Sequence, residues 1–502
     1  MNNENDIIVG LDIGTTKIAC FIGRKIDNKV RILGFGKTPS KGVERGVVKH
    51  IKFTAESIAR AVEQASEEAG VEVKEVYVGI AGQHIRSVSS QGMISIPHDH
   101  KLIEQSDVDH LIEEQYNIPI GPGEEIIHVF PQTYFVDGEE LNNEYDPVGV
   151  AGVQLKANFH IVTGNTTNLI NIRSSVEMAG FSIKGVVLEP VASAYAVLDD
   201  TDREAGVALV DIGGGTTDIA IFHEGIIRHT SVLPLAGNAI TFDIKESCKI
   251  MQKQAEALKT RFGSCLPEHV NENDIISIPG IRNQPAREIS VKTLAGIIKA
   301  RTESILEQVD FEIKESHLDK RLIAGIVLTG GGAQLRHIKD LTEFITGIDT
   351  RIGLPDEHLE KGSSTEIVNP MYATGIGLVL YGLEREEELR RNNTQEAADE
   401  VEMETPIEEP EPKPAEPVND PFANPFGNFG ATIDPFAGAP TESIETEPVQ
   451  PVAPANNKPS KPAKGEKPRR WGRGFTNAIE KYLKNVFSDD PIRNEGEEEQ
   501  EL

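Results

Sequence analysis

A two-lobed α/β fold is predicted for this 502-residue chain, and three features of the sequence predict it. "VGLDIGTTKIACFI" (9–22) and "LVDIGGGTTDIAIF" (209–222) share one grammar: apolar strand, aspartate, turn of glycines and threonines, second apolar strand. The copies lie about 200 residues apart, too far for a solenoid repeat and right for a duplicated domain. Around them, strand-like and helix-like stretches alternate to about residue 385, as expected of sheets covered by helices.

The turns carry the chemistry. Glycine weakens a strand and needs a reason to be there. Gly-rich turns point successive backbone N–H groups into one concavity, which suits phosphate oxygens. An aspartate just before such a turn cannot bind phosphate, but it can hold through water the magnesium that neutralises phosphate. A third turn follows in "AGIVLTGGGAQLRHI" (324–338), where a strand enters three glycines and leaves as a helix pattern. One Gly-rich turn is weak evidence; three, two of them with a matched aspartate, point to a nucleotide.

The elements between the turns are read in order. "TAESIARAVEQASEEAG" (54–70) is an amphipathic helix with Ile58, Ala61, Val62 and Ala65 on one face, ending at Gly70. "VYVGIAG" (76–82) is a buried strand. The pattern changes over 88–162, which reads as an insertion: "SVSSQGMISIP", a helix over 106–118 capped by Ser106, and a strand and turn over 125–138. "GVVLEPVASAYAVL" (185–198) is a strand followed by a helix started by Pro190. "EALKTRFG" (256–263) is a helix closed by Gly263. From "LEREEELRR" onward order is expected to fail, because 392 to about 468 is rich in Pro, Glu, Asn and Ala and cannot offset chain entropy. "DPFANPFGNF" (420–429) and "DPF" (434–436) repeat a small motif there, read as low complexity.

The totals narrow the class. A formal net charge of −30 argues against nucleic acid as a partner. Cys20, Cys248 and Cys265 form no CxxC pair and no metal-ligand spacing, which fits a reducing cytoplasm. The acidic start "MNNENDII" does not resemble a signal peptide, and no apolar run nears 18 residues. A cytoplasmic protein with no membrane span is expected. "GFGKT" (34–38) is rejected as a phosphate loop, since Arg31 replaces the earlier glycine and Pro39 blocks the helix start. "HDH" (98–100) is read as surface loop rather than metal site.

The paired D-[IL]-G-T-T and D-I-G-G-G-T turns with a later T-G-G-G resemble the superfamily of actin, sugar kinases and DnaK-type chaperones. Within it, "GIAGQHIRSVSSQGMI", "LPLAGNAITFDI" and "AGIVLTGGGAQL" resemble the FtsA family of bacterial cell-division proteins. The resemblance implies an actin-like two-lobed ATPase fold with an inserted subdomain, a disordered linker and a C-terminal amphipathic helix. Carried onto this chain, it places the first lobe core at 1–87 and 163–195 and the insertion at 88–162. The second lobe core follows at 196–232 and 301–385, with its small subdomain at 233–300. The linker covers 386–468, the amphipathic helix 469–488 and an acidic tail 489–502.

It also implies ATP and Mg2+ in the cleft between the lobes. Gly14, Thr15, Thr16 and Lys17 would form one phosphate hairpin, and Asp211, Gly213, Gly214, Gly215 and Thr216 the other. Asp12 and Asp211 would hold magnesium through water. Glu256 and Lys259 would contact ribose and base, and Gly330, Gly331 and Gly332 would line the adenine side. Glu189 falls where some members orient the attacking water, although an acid there also caps a helix. Asp218 is left between a turn cap, a solvated acid and a role near the metal. Asp211 and Glu189 are the only catalytic candidates, so at most slow hydrolysis is expected.

The tail is the second signal. Trp471, Phe475, Ile479, Tyr482, Leu483 and Val486 form one helical stripe, with Phe487 beside it and a run of lysines and arginines upstream. The alternative, a helix packing on the fold or a partner, fits the basic flank less well than an anionic bilayer does. Burying the stripe gains about 10–15 kcal/mol, and ordering the segment costs a similar amount. One helix should therefore bind weakly, and several on one polymer tightly. The family's implied partners are the C-terminal peptide of the tubulin-like protein FtsZ, near Arg301, further copies of the chain in a filament, other division proteins, and the cytoplasmic face of the inner membrane. Two rival readings remain: a sugar-kinase-like phosphotransferase, which lacks an assignable acceptor aspartate, and a pilus-assembly adaptor of the same superfamily.

Overall fold

The computed structural model describes residues 7–26, 29–96, 102–141, 146–279, 285–360 and 364–404. The first lobe opens with β1 (Ile7–Ile13), β2 (Lys17–Ile26) and β3 (Lys29–Pro39), an antiparallel meander, followed by α1 (Ile51–Ala69) and β4 (Glu75–Ile80). The insertion contributes β5 (Arg86–Ser95), α2 (Gln105–Gln115), β6 (Glu124–Val136) and β7 (Gln154–Asn165). The chain returns through α3 (Thr166–Met178) and β8 (Ser182–Leu188) to α4 (Glu189–Val197).

The second lobe repeats the plan with β9 (Val207–Ile212), β10 (Thr217–His223) and β11 (Ile226–Leu233). A smaller part follows: α5 (Gly237–Cys248), α6 (Gln252–Phe262), the hairpin of β12 (Ile275–Ile278) and β13 (Arg287–Ser290), and α7 (Val291–Glu315). Then come β14 (Gly325–Thr329), α8 (Ile338–Thr346), β15 (Thr350–Ile352) and α9 (Ala373–Glu404).

The two central sheets have one topology. Their orders are β3-β2-β1-β4-β8 and β11-β10-β9-β14-β15, each a three-stranded antiparallel meander joined to two parallel strands. The duplicated turn is thus the visible part of a duplicated sheet. All six residues of β9 and all but the first of β1 are buried, which is why these strands read as unbroken apolar runs rather than alternating ones.

The insertion has its own sheet, β5-β7-β6 plus a short strand at Glu139–Glu140, and its own core around Leu111, Leu155, Phe159 and Ile161. Ser87 Oγ donates to the carbonyl of Thr230 at 2.9 Å, and His160 Nε2 lies 2.9 Å from Thr230 Oγ1, joining the insertion to β11.

Several local expectations hold. Gly70 closes α1 in the left-handed region at φ 68°, and Pro190 sits in the first turn of α4. "GFGKT" lies within β3, where a Cβ at Gly34 or Gly36 would stand 2.1 or 2.0 Å from the carbonyl oxygen of Ala65 or Ala61. Those glycines let α1 lie directly on the strand; no phosphate loop forms there.

Three expectations need correction. The cap of α2 is Glu104, not Ser106: the Glu104 N–H donates to Asp107 Oδ2 at 2.9 Å, and the helix ends at Gln115 rather than 118. The glycines of 330–332 lead into a 3-10 turn, Gly331–Gln334, and the α-helix begins only at Ile338. Order also persists past 385, because α9 runs through Glu404. Its stretch "EREEELRR" is built from strong helix formers with pairs such as Arg391–Glu387 at 3.8 Å one turn apart, so local propensity sustains what an apolar face does not. The "HDH" loop and the whole amphipathic stripe from Trp471 to Phe487 lie outside the described residues. Among the described residues, no helix is long and apolar enough to cross a membrane.

Candidate functional site

Both Asp-Gly turns end at one cleft. Asp12 and Asp211 are each the penultimate residue of their strand, β1 and β9, so the shared topology brings the two carboxylates to corresponding ends of the two sheets. The cleft between them is lined by Asp12, Gly14–Lys17, Glu189, Asp211, Gly213–Thr216, Asp218, Glu256, Lys259 and Gly330–Gly332. Every cleft residue expected from the sequence is therefore brought together.

The glycines have a reason within the protein beside the expected one. A Cβ at Gly214 would fall 2.4 Å from Thr16 Cγ2, and one at Gly215 would fall 2.4 Å from Thr15 Oγ1. At Gly214 and Gly215 the first turn's threonines leave no room for a side chain. Gly330, at φ 81°, carries no side chain because a Cβ would stand 2.2 Å from Asp211 Oδ1. Gly331 is different, with open space to 4.0 Å. The turns are pinned from behind: Gly46 N–H donates to Thr15 Oγ1 at 3.1 Å, Asn238 N–H to the Gly214 carbonyl at 2.8 Å, and Gly330 N–H to the Pro370 carbonyl at 3.1 Å.

Charge in the cleft is arranged around Lys17. Its ammonium donates to Asp12 Oδ2 at 3.1 Å. Burial alone depresses its pKa, but Asp12 and Asp211 outweigh that and hold it above the ordinary value. The Asp211 carboxyl is lifted by burial, against the opposing pull of Ser193 and Lys17. Glu189 is pushed well above the carboxylate range by burial and then by Asp12, Asp218 and Asp211. Asp218 is pushed the same way by burial and Asp211, opposed by the hydroxyl of Thr216 2.9 Å from its Oδ2. Its Oδ1 is buried with no hydrogen-bond partner. The open choice for Asp218 is thereby narrowed: it is buried, so it is not a solvated acid.

The two turns are not copies at this point. Across the strand pairs, Asp12 faces Ala19, whereas Asp211 faces Asp218. The second lobe thus adds an acid where the first has a methyl group.

A pH prediction follows. Glu189 and Asp218 hold protons in the folded chain that the unfolded chain releases near pH 4.5 and 3.8. Their contribution to stability is full below those values and is lost as pH rises toward the raised folded values, with a limiting slope of about 1.4 kcal/mol per pH unit for each proton released. Asp218→Asn removes one of these groups. Thermal unfolding of the nucleotide-free protein, followed upward from about pH 5, should show a falling midpoint that is flatter in the variant. Superimposable wild-type and variant curves would overturn the assignment.

At the far side of the cleft, Lys259 and Glu256 stand one turn apart on α6 and pair at 2.8 Å. Lys259 Nζ also donates to the Gly237 carbonyl at 3.0 Å, and Thr241 Oγ1 donates to Glu256 Oε2 at 2.5 Å. Arg301 is elsewhere, on α7, gripping Asp243 through two bonds of 2.6 and 3.2 Å. Sequence reasoning missed Ser193, Tyr372 and Thr374, which touch the cleft's charged groups from α4, from the turn before α9 and from α9 itself. Their only signal is an ordinary hydroxyl in an apolar run.

The comparisons with known proteins agree with this geometry. The profile described as "Cell division protein FtsA" matches residues 208–377, and "SHS2 domain inserted in FTSA" matches residues 82–163. The chain is 38% identical over 381 residues to the cell division protein FtsA of Pseudomonas aeruginosa, covering 76% of this chain and 90% of that one. It is 34% identical over 390 residues to that of Escherichia coli (strain K12), covering 76% and 91%. Among solved structures, one of a PilM-PilN type IV pilus biogenesis complex is similar at a TM-score of 0.55 and 15% identity, covering 75% of this chain and 98% of that one. That likeness shows a shared fold.

Proposed function

From the premise that the chain belongs to the FtsA family of cell division proteins, we propose that it is an ATP-dependent scaffold of the division machinery. ATP with Mg2+ occupies the cleft, copies assemble into filaments, and the C-terminal amphipathic segment ties them to the inner membrane. FtsZ docks through its C-terminal peptide on the part of the second lobe near Arg301.

One observation carries the nucleotide reading: two topologically matched turns place buried aspartates and one lysine at the same cleft. The residues fit the group. Gly331 leaves open space on the 330–332 turn, and Asp218 Oδ1 is buried without a partner, as suits a hydrated cation. Among the described residues no three His, Cys, Asp or Glu side chains converge closely enough to hold a metal directly. Asp12 and Asp211 would therefore act through water. When bound, the cation supplies positive charge among four acids; Lys17 orients phosphate, and Lys259 and Glu256 face the sugar end. Among the described residues, Glu189 and Asp211 are the only catalytic candidates that line the cleft, and slow turnover is proposed.

The membrane reading rests on the stripe from Trp471 to Val486 and the basic residues before it. Trp471 is the sole tryptophan, so its emission should shift to the blue when the full chain meets anionic vesicles. No shift, or an equal shift with neutral vesicles at high salt, would count against tethering. Binding of MgATP by calorimetry, and capture of an FtsZ C-terminal peptide by the same preparation, test the other two arms.

A further inference from the structure

Ser193 and Thr374 come from distant parts of the sequence, on α4 and α9, yet both hydroxyls converge on one oxygen. Ser193 Oγ donates to Asp211 Oδ2 at 2.7 Å, and Thr374 Oγ1 donates to the same Oδ2 at 3.2 Å. The two hydroxyls lie 3.1 Å apart. All three residues are buried, Ser193 completely. The helices that carry them touch at the neighbouring residue: a Cβ at Gly377 would stand 1.7 Å from the carbonyl oxygen of Ala192. Asp211 itself belongs to β9 of the second lobe. Its Oδ2 is thus saturated by two hydroxyls, while Oδ1 lies against Gly330 at the cleft.

We propose that Ser193 and Thr374 are positioning residues. Together they fix the rotation of the Asp211 carboxylate, so that Oδ1 is the atom presented to a water of the hydrated cation. The inference rests on the nucleotide reading above and adds to it who orients the carboxylate. The Ser193 bond at 2.7 Å is the short, strong kind expected of a hydroxyl on a carboxylate, and Thr374 at 3.2 Å adds a weaker second hold on the same oxygen. Without them the carboxylate can rotate in its pocket, and the cation-dependent part of binding suffers while direct phosphate contacts do not.

The test uses the full chain and measures affinity for ATP twice, with Mg2+ and with EDTA, beside the thermal midpoint of the nucleotide-free protein. Ser193→Ala should lose about tenfold in the Mg2+ measurement, the worth of one hydrogen bond to a charged group, Thr374→Val about threefold to fivefold, and both should stay within about twofold in EDTA. Thr374→Ser keeps the hydroxyl and should restore wild-type affinity even if its midpoint drops. Equal losses with and without Mg2+, or a lowered midpoint with unchanged affinities, would reduce the pair to a structural role and overturn the proposal. Absence of ATP binding by the unaltered chain would instead overturn the nucleotide reading, and the inference with it.

Discussion

Gly377→Ala is expected to destabilise the protein by at least about 3 kcal/mol, more than an ordinary overpacked core residue costs, because the obstacle is backbone. The added methyl would meet the Ala192 carbonyl oxygen at 1.7 Å and its carbon at 2.4 Å. Neither can rotate away, so the two helices must move apart. Helix propensity pulls the other way, since alanine is favoured over glycine by about 1 kcal/mol in a helix interior. The sign of the result therefore decides which effect dominates at this residue. Gly296, inside α7 with nothing within 4 Å, is the control: Gly296→Ala should stabilise by about 0.5–1 kcal/mol. Denaturant unfolding of both variants measures the difference. A stable Gly377→Ala chain would mean that the crossing is looser than it stands here.

Lys17→Ala is expected to lower ATP affinity by a hundredfold or more. Lys17 is the cation bonded to Asp12, and its charge offsets Asp211 and Glu189 as well. Lys17 is partly exposed but Asp12 is buried, so removing the ammonium leaves a buried carboxylate without its cation. The same change should lower the stability of the nucleotide-free protein, and Lys17→Arg should recover part of both losses. Competition against a fluorescent ATP analogue reads the first effect and thermal unfolding the second. Affinity unchanged in Lys17→Ala would remove the phosphate role from this turn.

Much of this was legible in the chain itself. The duplicated turn and its spacing identified the two lobes, since an aspartate at a strand end beside bare glycines is a local pattern with a local cause. The insertion was visible as a break in strand and helix rhythm at 88–162. What stayed hidden depends on contacts between distant residues. Nothing in "EPVASAYAV" marks Ser193 as the partner of an aspartate 18 residues on, and nothing in "MYATGIGL" marks Thr374 as a third member. The glycines of the second turn have a further cause in Thr15 and Thr16 of the first turn, neighbours that no single stretch can disclose. At the far end, low hydrophobicity predicts loss of order, whereas α9 runs to Glu404, with charge pairs one turn apart such as Arg391–Glu387 along its first charged stretch.

The unequal facing pairs, Asp12 with Ala19 and Asp211 with Asp218, leave a scaffold of matched halves with lopsided electrostatics. Anything entering such a gap meets an ammonium paired with one acid on the first flank and two facing acid residues on the second. Two halves built to one plan thus frame a socket with unlike sides, and under the proposed nucleotide reading its guest has a preferred orientation.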